Sequence, residues 1–169
     1  MQSIFTFLSN LYKIIAAFFG SASPGPNPAS TEVAKYLQLN NVERHKSGVP
    51  ELILDSRLCK AAQIQADYMA KIKIITHVGE GGTTPGNRLS STGFKAQNTA
   101  ENIGARSDAA TFVEVCMNSQ YHRINMLARK YTHVGVGITV SDQKYWCIVF
   151  ANIGESLLGG ICSGNLINL

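Results

Sequence analysis

The sequence predicts an α+β domain built in layers, on three observations. Apolar residues between Leu58 and Ile72 recur at helical spacing. The stretch from Thr132 to Val140 alternates at strand spacing. Helical segments precede a terminal pair of strands instead of alternating with them, and helices segregated from antiparallel strands pack as separate layers.

The elements follow in chain order. A first helix is predicted from Ser30, whose hydroxyl suits the orphan amides of Glu32 or Val33. Val33, Leu37 and Val42 form its apolar side, and Gly48-Val49-Pro50 ends it. A second helix follows Asp55 or Ser56, with Leu58, Ala61, Ala62, Ile64, Gln65, Tyr68, Met69 and Ile72 as one stripe. The loop from Gly79 to Gly86 lacks the spacing and the lysine of a phosphate-binding loop and reads as a flexible connector. Asn87 to Ser90 reads as a helical turn, and residues 100–105 as a short strand. Asp108 to Ser119 reads as a helix with Phe112, Val115 and Cys116 inward, and the spacing of Met117, Ile124 and Leu127 reads as core. From Thr132 to Val140, branched residues fill one face and glycines thin the other, so another element can pack closely there. Tyr145 to Ala151 completes a β-hairpin, with Trp146, Ile148 and Phe150 on one side.

At 169 residues, with 45% apolar and 15% charged side chains, the chain suits one globular domain with tails. Residues 1–22 read as a signal peptide or an amphipathic N-terminal helix, 23–30 as a linker, 31–156 as the domain and 157–169 as an apolar tail. Asn10 and Lys13 interrupt the N-terminal apolar run, which is too short to span a bilayer but suits membrane association through residues 1–19. The net charge of +4 comes from scattered Lys and Arg, so no nucleic acid partner is expected. The four cysteines form no C-x-x-C pair. Cys59 and Cys116 fall in apolar helical patterns and read as buried thiols; Cys147 and Cys162 are the expected bridge.

The chemistry-bearing residues are His77, Glu101 and His122, each set beside apolar anchors. Imidazole and carboxylate bind divalent metals and move protons near neutral pH. Two imidazoles with water can hold Zn²⁺ at about 2.0–2.1 Å, with Glu101 ligating or orienting a ring. The plainer alternative is a hydrogen-bonded polar cluster in a cleft. In a hydrolase, Glu101 would serve as base and a histidine such as His122 as acid. No serine-hydrolase or zinc-protease motif accompanies them, and Ser119, a turn before His122, lacks an acid. Arg88 and Arg123 are expected to brace loops by pairing with Glu101 or backbone carbonyls, with Asn102 and Asn125 holding backbone groups. Tyr121 is either a cleft wall or ordinary packing, His45 faces solvent, and His133, on the glycine face of a strand, has a packing or a rim role.

These residues also carry a resemblance. Asn41 to Gln63, Thr76-His77, Ala100-Glu101-Asn102-Ile103-Gly104, Met117 to Leu127 and Thr132 to Gly137 fall in one order. They resemble the CAP superfamily (cysteine-rich secretory, antigen 5 and pathogenesis-related proteins), in its compact bacterial SCP-like branch. The resemblance covers residues 35–152. It implies a three-layer α-β-α sandwich with a cavity lined by two histidines and two glutamates. His77 and His122 match the histidines and Glu101 the first glutamate. The second glutamate falls at Asn118 or Ser119 and is absent; Glu114 lies a turn earlier. Cys116 stands where the family has tryptophan. The resemblance further implies an extracellular or surface location. The favoured role is binding of a lipid or sterol, a divalent cation such as Zn²⁺, or a partner protein. The alternatives are a metal-assisted peptidase or esterase, and an interaction module with a vestigial cavity.

Overall fold

The computed structural model describes residues 28–153. In order these form α1 (Pro28–Lys46), β1 (Ile53–Leu54), α2 (Ser56–Ile72), a 3-10 turn (Glu80–Gly82), α3 (Pro85–Ser91), β2 (Ala96–Ala105), α4 (Ala109–Asn118), α5 (Gln120–Leu127), β3 (His133–Val140) and β4 (Lys144–Ile153). The sheet order is β1-β3-β4-β2, with β1 parallel to β3 and the other pairs antiparallel. The expected N-terminal segment, the C-terminal tail and Cys162 lie outside the described residues.

Period-two alternation on β4 divides the interior into two cores. Trp146, Ile148 and Phe150 meet Tyr36 of α1, Phe112, Val113 and Cys116 of α4 and Met126 of α5. Tyr145, Cys147, Val149 and Ala151 meet Leu58, Ala62, Ala66 and Met69 of α2 and Leu89 of α3. The expected α-β-α sandwich is therefore present. Its tightest contact uses the thin face of β3. A Cβ at Gly135 would come within 2.1 Å of the Leu58 carbonyl carbon, and one at Gly137 within 2.3 Å of that of Ala62. Only glycine lets α2 lie this close.

Several elements differ from expectation. Helix α1 starts at Pro28, where a missing N–H costs nothing, so the last residues of the expected linker are helical. Its buried stripe is Tyr36, Asn40 and Arg44, while Val42 is exposed. Arg44 is held by the carbonyls of Pro50, Met126, Ala128 and Tyr131 at 2.7–3.1 Å, which joins α1 to both ends of the α5–β3 connection. Strand β1, only two residues long, is too short to show a period. The expected strand at 100–105 begins at Ala96. Ser119 (φ −99°, ψ 119°) separates α5 from α4. Ile64, Val115 and Ile124 are exposed, because four-residue spacing permits several helical faces and packing selects one.

Candidate functional site

The site is built on β2, the edge strand of the sheet. Glu101 pairs in register with Val149 and Asn102 with Ile148. Successive side chains leave a strand on opposite faces, so Glu101 enters the α2–α3 layer and Asn102 the α4–α5 layer. The two histidines approach the strand from these two sides.

On the first side, Arg88 Nη2 donates to Glu101 Oε2 at 2.7 Å, both side chains being almost fully buried (2% and 1% exposed). The Cys147 thiol donates to the same oxygen at 3.3 Å. Glu101 Oε1 faces His77 Nδ1 at 2.8 Å, and the His77 side chain is 54% exposed. A carboxylate oxygen only accepts, so Nδ1 is the donor to Glu101, which leaves Nε2 outward. Arg88 also donates to the carbonyls of Thr83 (2.9 Å) and His77 (3.2 Å). Its Nε is buried without a protein partner. Helix α3 that carries Arg88 is fixed by a capping box between Thr84 and Asn87. Gln65 donates to the Thr76 carbonyl from α2. The loop expected to be a flexible connector is thus tied down at several points. Gly79 packs closely there: a Cβ would come within 2.8 Å of Thr83 Oγ1, Arg88 Nη1 and Gln65 Oε1, so those side chains would have to shift.

On the second side, Asn102 Nδ2 donates to the His122 carbonyl at 3.1 Å, and Asn125 Nδ2 donates to Asn102 Oδ1 at 2.8 Å. His122 Nδ1 lies 2.8 Å from Ser119 Oγ. Burial lowers the His122 pKa first, and the positive charges of His77 and Arg106 lower it further. Glu101, His77 and Arg88 form one bonded group on the α2–α3 side, and Asn102, Asn125, His122 and Ser119 form a second on the α4–α5 side. Arg123 stands apart from Glu101 and instead donates to the Met117 carbonyl at 2.7 Å, bracing the α4–α5 turn. Tyr121 is 84% exposed, and ordinary packing does not describe it. His45 is exposed. His133 packs edge-on to Phe94, with ring centres 6.0 Å apart.

Sequence reasoning missed Cys147. It is a fully buried thiol that donates to Glu101, while Cys162, its expected partner, lies outside the described residues. Its alternation with Trp146 and Ile148 was the available signal, since it places Cys147 on the Glu101 face. Cys116 is free and buried and Cys59 is free and half-buried. Burial pushes the Cys116 thiol up to about 12.

The residues do not supply a three-ligand cage for a divalent cation. Both Glu101 oxygens already hold partners, and the carboxylate is closed off by Arg88. Among the described residues, no group of three or more His, Cys, Asp and Glu side chains is placed to hold a metal ion. What reaches the surface is two imidazole rings and a hydroxyl. Separately, a groove of about 270 Å³ lies between α1 and α4, lined by Leu39, Val113 and Met117 together with Glu43 and Glu114.

Comparison with known proteins agrees with this architecture. The family described as Cysteine-rich secretory protein family (CAP) matches residues 37–150. The uncharacterized protein YkwD of Bacillus subtilis is 30% identical over 124 residues, which is 73% of this chain and 48% of that protein. An extracellular protein of Bacillus anthracis containing an SCP domain superposes with a TM-score of 0.65 at 25% identity, covering 77% of this chain and 45% of its own. An outer surface protein of Borrelia burgdorferi superposes with a TM-score of 0.64 at 21% identity, covering 72% of this chain and 91% of its own. This chain spans about half the length of the two Bacillus proteins.

Proposed function

Because the chain belongs to the cysteine-rich secretory protein (CAP) family, we propose that it is a secreted or surface-exposed binding domain that holds a small ligand or a partner at the cleft between His77 and His122. The extracellular and outer-surface descriptions of similar proteins support the location. One observation carries the preference for binding over catalysis. Glu101 is neutralised by Arg88 at 2.7 Å and occupied by His77 at 2.8 Å, so it is not a free base for activating water. An apolar ligand such as a lipid or sterol has a second place to go, the α1–α4 groove. At about 270 Å³ that groove takes an acyl segment more readily than a whole sterol. A divalent cation would have two imidazoles and water, which is a loose site.

The test is native mass spectrometry of the full chain after exposure to lipid extract, metabolite extract and Zn²⁺. A ligand retained by the native chain and lost in the His77→Ala/His122→Ala variant supports the cleft. Equal retention by both chains, or no enriched species, counts against it.

The contact between Ser119 Oγ and His122 Nδ1 at 2.8 Å favours a second reading, a peptidase or esterase with Ser119 as nucleophile. Burial and nearby positive charge keep His122 neutral, as a base must be. Turnover of peptide or ester substrates that Ser119→Ala abolishes would establish it; turnover that survives this substitution would reject it.

A further inference from the structure

The segment that carries His77 is turned inside out. Its apolar residues read from sequence as anchors, yet Ile74, Ile75 and Val78 are 58, 46 and 58% exposed. What faces inward is polar. Gln65 donates to the Thr76 carbonyl, Arg88 Nη2 donates to the His77 carbonyl at 3.2 Å, and Glu101 holds the His77 ring at 2.8 Å. The Val78 amide is tied locally to Thr76 Oγ1 at 3.1 Å. Turning the apolar side chains inward would break these bonds, so they are fixed facing out just past the end of α2. All three fall within residues 74–78, so they make one patch instead of scattered exposed side chains, and such a patch marks a contact surface.

The charges bordering the patch are basic. Lys71 lies in the last turn of α2, and Lys73 caps the helix at φ 58°, ψ 31°. Among the described residues Lys73 is the one non-glycine residue with positive φ. Glycine takes this helix-ending conformation at lower cost, and Lys71 already gives the helix C-terminus a cation. Lys73 thus stands against a backbone preference, with its charge beside Ile74. Glu80, the acid of the next turn, is matched by Lys71 at 2.6 Å. Protein interfaces favour aromatic residues, Met and Arg and are poor in Lys, whereas residues 71–78 hold two Lys and no Phe, Tyr, Trp, Met or Arg. A bilayer accepts aliphatic groups at its acyl boundary and lets lysine stems reach anionic headgroups. We propose that Ile74, Ile75 and Val78, with Lys71 and Lys73, dock the domain on an anionic lipid bilayer, with the exposed His77 ring on the membrane-facing side. This surface is separate from residues 1–19 and does not depend on what the cleft binds.

The experiment is co-sedimentation of the full chain with vesicles of phosphatidylcholine alone and of phosphatidylcholine mixed with phosphatidylglycerol. The expected result is stronger binding to the mixture. Ile74→Ser/Ile75→Ser should weaken it by about tenfold or more, and Lys73→Gln by about fivefold. Glu80→Gln removes the neighbouring acid and should strengthen it. Residues 1–19 are the same in every variant and cannot produce these differences, and the amide spectrum reports that each variant stays folded. On nanodiscs of the same mixture carrying a nitroxide lipid, the methyl signals of Ile74, Ile75 and Val78 should broaden first. Ile53 and Leu54, exposed on β1 at the opposite end of α2, are the controls. Absence of vesicle binding, equal binding by the parent and Ile74→Ser/Ile75→Ser, or broadening that includes the controls equally overturns the proposal. So does self-association abolished by the double substitution without any vesicle binding, which would assign the patch to a second copy of the chain.

Discussion

Glu101 and Asn102 are chain neighbours that serve opposite faces of one strand. Glu101 holds the His77 ring at 2.8 Å on the α2–α3 side, and Asn102 holds the His122 backbone at 3.1 Å on the α4–α5 side. A strand's period of two thus positions two histidines that lie 45 residues apart (122 − 77) in the chain. The site sits on the sheet edge, where both layers can reach it.

Arg88 is the countercharge that makes a buried Glu101 tolerable. Arg88→Met should cost about 3–5 kcal/mol in urea unfolding, because it strands a buried carboxylate and frees the carbonyls of His77 and Thr83. Arg88→Met combined with Glu101→Leu should recover part of that loss. An Arg88→Met chain as stable as the parent would contradict the pairing.

Gly135 sets the distance between α2 and the sheet. Gly135→Ala should cost about 3 kcal/mol or more, since the new methyl meets helix backbone at 2.1 Å. Gly104→Ala should cost less than about 1 kcal/mol, as its methyl would meet the Phe112 ring at 3.4 Å. Similar losses for the two variants would show that the close approach is not real.

Thiol reactivity should follow burial. At neutral pH, iodoacetamide should leave Cys116 and Cys147 unmodified in the folded chain and label both in urea. Cys59, half-buried, should react slowly. Peptide mass spectrometry reads this directly; rapid native labelling of Cys116 or Cys147 would refute their placement.

His122 and His133 have folded-state pKa values below the ordinary 6.5, burial being the first cause for each. The unfolded chain therefore takes up protons at these rings before the folded chain does. Their contribution to stability is intact above the ordinary imidazole pKa and is lost as pH falls through that value. Asp55, held low by Arg57, and Asp108, held low by the Thr111 amide, act only below 3.8. Stability should fall as pH drops from the ordinary imidazole value of 6.5 through the lower folded-state values, and His133→Asn should make that fall shallower. An unchanged slope in His133→Asn would show that its ring is not protected.

Much of this was legible in the sequence, for identifiable reasons. The glycines at 135 and 137 announced a close approach because strand period two put both on one face. His77, Glu101 and His122 stood in ordered motifs with apolar anchors, and Arg88 was a ready partner for Glu101. The buried stripe of α1 was not legible, because Asn40 and Arg44 are polar, and Arg44 is buried through bonds to distant carbonyls. Strand β1 exists through two backbone bonds, Ile53 to Thr132 and Asp55 to Val134, which leave no trace in local composition. The exposure of Ile124 depended on the break at Ser119, which turns α5 relative to α4 and which helical spacing alone does not reveal.

The tautomer of His77 tests the central arrangement most directly. Nitrogen shifts of its ring at neutral pH should place the proton on Nδ1, facing Glu101, with Nε2 bare and open to solvent. In Glu101→Gln that preference should weaken. A His77 ring protonated on Nε2, or one indifferent to Glu101→Gln, would mean that Glu101 does not orient it.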